Sequence, residues 1–236
     1  MAAIELLHTV VFLTLLVGVI SILYYRRFGS VEKFFVYYIW MSAFFELFAM
    51  SVNLESVNNV LVDYGWKNNL PGLHLFTILQ FILLVLFFSR VLQKYLVDFL
   101  WKIVLIIGSL LILANSIFIQ SIFEFNSYSK TVVELAIILA SMFYFVKLML
   151  SDIIKDHNVV LTYFVTAVFV NASVSILIHL FSNSIMQMEQ EFLTQLWNVR
   201  TMVNILTQFI ILYGIYLVIT RERKLQNRNQ LDISHS

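Results

Sequence analysis

Few side chains in this sequence could do chemistry, and they have a narrow range of types. His8, His74 and His179 stand with Glu46, Glu134 and Arg200 in a chain that is otherwise strongly apolar. Zinc takes three nitrogen or oxygen ligands plus water, and His74, His179, Glu46 and Glu134 supply that donor set. No HxxxH or HExxH spacing puts two such ligands on one helix face, so a metal site needs separate helices to converge. The paired histidines on a late helix that mark seven-helix zinc amidases are absent. His74 and His179 also form the one imidazole pair suited to haem ligation. The chain has no cysteine, which excludes disulfides, thiolate ligands and thiol nucleophiles. A retinal Schiff base needs a lysine deep in the last apolar run, where Asn204 and Gln208 stand instead. No cofactor is implied.

Binding is the better use of these residues. Each ionisable group inside a bilayer costs at least a few kcal/mol and usually faces the bundle interior. Positions three or four apart share a helix face, and the polar residues keep that spacing: Ser42, Glu46 and Asn53; Asn171, Ser175, His179 and Ser182; Trp197, Thr201, Asn204 and Gln208, with Arg200 beside them. Glu134 pairs with Ser141 in the same way, and Thr77 and Gln80 lie on neighbouring directions with His74 at the edge of their arc. If these stripes meet, Glu46, His74, Gln80, Glu134, Asn171, His179, Arg200 and Asn204 line one pocket, and a carboxylate is expected to pair with Arg200. Taken singly, each residue is better explained by hydrogen bonds that stitch helices together, at about 0.6 kcal/mol apiece.

The elements that must position these residues follow from composition. Apolar residues make up 61% of 236 positions and charged residues 12%, about half the charge of a soluble domain, so water is not the main solvent. A crossing helix needs about 20 apolar residues. Runs of that length at residues 6–25, 34–52, 73–92, 100–119, 131–150, 159–180 and 196–219 predict an all-α bundle of seven transmembrane helices in a single domain, 1–219. The runs are long and apolar on every face, which a closed barrel of short alternating strands does not match. Gly18, Gly108 and Gly214 are isolated, reading as close packing rather than hinges, which disfavours an alternating-access transporter. The longest connection, residues 53–72, reads as a solvated external loop.

Orientation follows from basic residues. Arg26, Arg27, Lys33, Arg90, Lys94, Lys102, Lys147, Lys155, Arg221, Arg223, Lys224 and Arg228 fall on one side, and Lys67, Lys130 and Arg200 on the other, a split of 12 against 3. The positive-inside rule puts the first side in the cytoplasm and the N-terminus outside. Residues 220–236 are expected to form a polar, flexible cytoplasmic tail beginning with a basic membrane-surface clamp. The expected partners are the lipid bilayer, a small extracytoplasmic ligand and a separate signalling protein, and the net charge of +1 gives no reason to expect nucleic acid. The favoured function is a sensor or receptor-like binding protein. The alternatives are a metal-dependent membrane hydrolase acting on lipid and a non-catalytic subunit or scaffold.

The stretches at residues 73–81 (LHLFTILQF), 115–130 (NSIFIQSIFEFNSYSK) and 196–205 (LWNVRTMVNI) resemble a group of bacterial seven-helix membrane proteins without an assigned activity. The resemblance implies the same fold along the whole chain and a bacterial inner membrane. It transfers no functional residue.

Overall fold

The computed structural model describes residues 2–52, 70–93, 98–150, 158–181 and 190–234. These form seven α-helices and no strand: α1 (Ala2–Leu23), α2 (Ser30–Val52), α3 (Leu70–Val91), α4 (Asp98–Ala114), α5 (Ser127–Leu150), α6 (Val159–Leu180) and α7 (Gln190–Ser234). A 3₁₀ turn, Tyr25–Arg27, separates α1 from α2, and a π turn, Asn115–Ile119, extends α4. Six of the helices contain stretches long and apolar enough to cross a membrane, and the apolar part described for α1 is the shorter His8–Leu23. The external loop expected at 53–72 lies mostly outside the described residues, as do Asn53 and Ser182.

Six helices close a ring. α1 packs on α2, α2 on α3, α3 on α5, α5 on α6, α6 on α7, and α7 back on α1, while α4 lies outside against α3. Cross-helix hydrogen bonds fix the directions. Tyr144 reaches Thr162 at 3.0 Å and His179 reaches Glu134 at 2.7 Å, so α5 and α6 are antiparallel. Asn126 meets Thr77 and Lys130 meets Gln80, so α3 and α5 run the same way. The result is an up-and-down bundle with two chemically different ends. One end holds the N-termini of α1, α3, α5 and α7 and the C-termini of α2, α4 and α6. The other holds Arg26, Arg27, Lys33, Arg90, Lys102, Lys147 and Arg221, and is called the basic end below.

The interior at the basic end is dry. Phe35 of α2 stacks on Phe164 of α6 with ring centres 4.4 Å apart, Phe87 of α3 packs against Phe35 at 5.3 Å, and Ile215 and Val218 of α7 are fully buried beside them. The outward surfaces are apolar too: Phe12, Leu110, Leu111, Phe118 and Met149 are all exposed. Such a surface suits a lipid solvent, in which helices satisfy their own backbone hydrogen bonds.

One buried acid ties the basic end together. Glu32, only 1% exposed, accepts from the Gly29 backbone N–H at 2.8 Å, from Asn158 Nδ2 at 2.8 Å and from Arg221 Nη1 at 3.3 Å. Asn158 is itself the N-cap of α6, accepting from Val160 N–H, a common role for asparagine at a helix start. The clasp therefore joins α2, α6 and α7. Sequence reading passed over Glu32 because it lies before the apolar run of its helix.

The expectation of a flexible tail from residue 220 is corrected: α7 continues as helix to Ser234. No glycine or proline follows Gly214, and the Arg, Glu, Lys, Leu and Gln that dominate the first part of the tail are good helix formers. Loss of hydropathy at residue 220 does not mark the end of the helix.

Candidate functional site

At the end away from the basic rim, the ring encloses a cavity of about 450 Å³. Every ring helix lines it and α4 does not. α1 gives Val10 and Thr14; α2 gives Tyr38, Ser42, Phe45, Glu46, Phe48 and Ala49; α3 gives Leu70, Gly72, Leu73, Phe76 and Gln80. α5 gives Lys130 and Glu134, α6 gives Asn171 and Ser175, and α7 gives Trp197, Arg200, Asn204 and Gln208, with Phe125 from the segment before α5. The steps 38, 42, 46 on α2, 130, 134 on α5, and 197, 200, 204, 208 on α7 are the three- and four-residue steps that keep side chains on one helix face. Gly72 is required by the fit, because a Cβ there would stand 2.7 Å from the Phe48 ring. A narrow annex of about 30 Å³ between Thr14, Ser42, Asn171 and Gln208 continues the cavity toward the bundle centre.

The polar wall is partly self-satisfied. His179 Nδ1 stands 2.7 and 2.8 Å from the two Glu134 oxygens, and its ring lies 5.5 Å from that of Phe125. Ser175 Oγ donates to Asn171 Oδ1 at 3.1 Å, and Gln208 Nε2 to Thr14 Oγ1 at 3.1 Å. Lys130 Nζ donates to Gln80 Oε1 at 2.5 Å and lies 4.6 Å from the Phe76 ring centre. Arg200 places its guanidinium carbon 4.8 Å from the Trp197 ring centre, a cation–π distance. Its Nε is buried with no hydrogen-bond partner among the described residues.

The structure thus gathers Glu46, Gln80, Glu134, Asn171, Arg200 and Asn204 around one cavity. The other two expected pocket residues are placed differently. His179 stands behind Glu134 and reaches the cavity only through it. His74 is 4% exposed and belongs to a separate network: its ring nitrogens meet Ser116 Oγ at 2.8 Å and the Glu124 carbonyl at 3.0 Å. A carbonyl only accepts, so Nε2 carries the hydrogen. The expected ion pair of Arg200 with a carboxylate is not made among the described residues. Glu134 turns to His179 instead, because α6 brings the imidazole within hydrogen-bond reach. The metal set proposed from sequence is likewise not assembled, since no three His, Asp or Glu side chains gather among the described residues. His8 lies on the exposed surface of α1.

Sequence reading missed Lys130 as a wall residue, having counted it as a loop charge. The signal was its position four residues before Glu134, which puts both on one face of α5. A second polar network lies in the segment after α4. Asn115 Nδ2 donates to Gln120 Oε1 at 3.0 Å and Ser129 Oγ at 2.8 Å; Gln120 Nε2 donates to Ser127 Oγ at 3.0 Å; Asn126 Nδ2 donates to Thr77 Oγ1 at 2.7 Å. These side chains are buried, and with His74 and Ser116 they fasten α4 and the start of α5 to α3.

Compared with known protein families, with curated proteins and with solved structures, the chain matches none. What the site can do rests on its own geometry. It is concave, mixed aromatic and polar, and of a volume suited to a small molecule.

Proposed function

We propose that this chain is a multi-pass protein of a bacterial inner membrane, of the sensor or receptor-like class, that takes a small amphipathic ligand into the cavity from outside the cytoplasm. In this reading all seven helices cross the bilayer, the basic end faces the cytoplasm as the 12 to 3 split of basic residues requires, and the cavity faces outward. One observation carries the proposal: polar side chains from six different helices converge on one cavity at the end opposite the basic rim, above an aromatic floor. Helix packing alone gives no reason for charged and amide groups to collect at a single depth.

α7 supplies the route to a response. The same helix carries Trp197, Arg200, Asn204 and Gln208 in the cavity wall, holds Arg221 in the Glu32 clasp, and continues to Ser234. A ligand that binds one arrangement of α7 better than another shifts its population and so presents a changed basic end to a separate signalling protein.

The test is native mass spectrometry of the purified protein, with Ala49→Trp, which fills the cavity, as comparison. A reproducible small-molecule adduct on the wild type that disappears in a folded Ala49→Trp protein supports the proposal. A stable partner chain with no small molecule on either protein replaces it with a non-catalytic subunit.

A further inference from the structure

Resting on the ligand-pocket reading above, we propose that the cavity recognises an amphipath with one oxyanion head group, a carboxylate or a phosphate, held by Lys130 and Arg200. The inference comes from counting which hydrogen-bonding groups in the wall are already used. Arg200 has five N–H donors and makes no hydrogen bond to any described residue, with Nε buried. Lys130 has three donors and one acceptor, Gln80, and only 4% of its surface is exposed.

Of the two carboxylates in the lining, Glu134 is committed elsewhere, while Glu46 makes no ion pair with either cation among the described residues. Both oxygens of Glu134 face His179 Nδ1, and neither cation has a carboxylate in ion-pair contact among the described residues. Two cations with spare donors in a partly desolvated wall suit a group rich in acceptors, and charge-assisted hydrogen bonds to a carboxylate or phosphate are about twice as strong as neutral ones. The lining also presents Phe45, Phe48, Phe76 and Trp197, which suit an apolar portion of the ligand. Glu46, which shares the wall, would repel a second anionic group, and this limits the head to one.

The experiment is titration calorimetry on protein in nanodiscs, with empty nanodiscs subtracted, using octanoate, octyl phosphate, 1-octanol and octyltrimethylammonium as probes. The expected result is that one of the two anions binds at least about tenfold more tightly than octanol, and the stronger anion tells carboxylate from phosphate. Arg200→Gln and Lys130→Gln should each reduce that preference severalfold, while Arg200→Lys, which keeps the charge, should retain part of it and so separates recognition from misfolding. Equal binding of octanol or the cation, or a preference that survives in both glutamine variants, overturns the oxyanion assignment and leaves the pocket standing. Binding of none of the four overturns the assignment too, and labelling of a cysteine at position 204 from outside then decides whether the pocket reading falls with it.

Discussion

At the residue scale, the cavity wall separates groups that are satisfied by the protein from groups that are not. Glu134 and His179 form a buried pair, so removing one partner takes from the other its close hydrogen bond in a low-dielectric interior. Glu134→Ala is expected to destabilise the protein by about 3 kcal/mol, and the double change Glu134→Ala with His179→Ala by no more than the worse single change. Thermal unfolding in detergent checks this, and strictly additive losses would mean the pair is not coupled. His74 belongs to the scaffold: His74→Ala should lower stability by about 1–3 kcal/mol through loss of its bonds to Ser116 and the Glu124 carbonyl. The same variant should leave probe affinity within about twofold, whereas Arg200→Gln should do the reverse. The types and depths of these residues were legible in the sequence, because helical spacing and burial cost constrain them. Their pairings were not: which of Arg200 and His179 meets Glu134 depends on the rotation of α6 and α7 by a fraction of a turn, which hydropathy does not encode.

At the element scale, two contacts carry distinct expectations. A Cβ on Gly108 would clash with the Phe81 ring, so α4 seats on α3 as it does because that position has no side chain. Gly108→Ala should therefore cost about 1–3 kcal/mol by overpacking, even though alanine is the better helix former. Gly18, where a Cβ would meet Ala43 at 3.2 Å, tolerates alanine far better. The Glu32 clasp predicts an asymmetry as well. Glu32 is buried with three partners, whereas the Arg221 side chain is 43% exposed. Glu32→Ala should cost about 2–3 kcal/mol and Arg221→Ala less than about 1 kcal/mol. Equal losses would show that the arginine, not the backbone and Asn158 bonds, is what holds the acid. Six of the seven apolar runs matched helices to within a few residues at most boundaries because those helices are apolar along nearly their whole length. The end of α7 did not, since helix propensity continues where apolarity stops. The buried Asn115–Ser129 network was also unreadable, because in a sequence a satisfied amide and a solvated one look the same.

At the scale of the whole molecule, chain order did not reveal that six helices close a ring and that α4 stands outside it. Arrangement around a ring depends on long-range packing, of which the amphipathic pattern carries little when both lipid and core are apolar. The asymmetry between the two ends was legible, since basic residues and polar stripes segregate along the sequence itself. The ring turns that asymmetry into a cavity with an aromatic floor, and the account stands or falls on which side of the membrane the cavity opens. The natural absence of cysteine gives a clean test. In intact cells treated with a membrane-impermeant thiol reagent, a protein with Asn204→Cys, in the cavity wall, is predicted to be labelled, and one with Arg26→Cys, exposed at the basic end, only after permeabilisation. The reverse pattern, or a cysteine at 204 that reacts only once the bundle is unfolded, would contradict an outward-facing pocket.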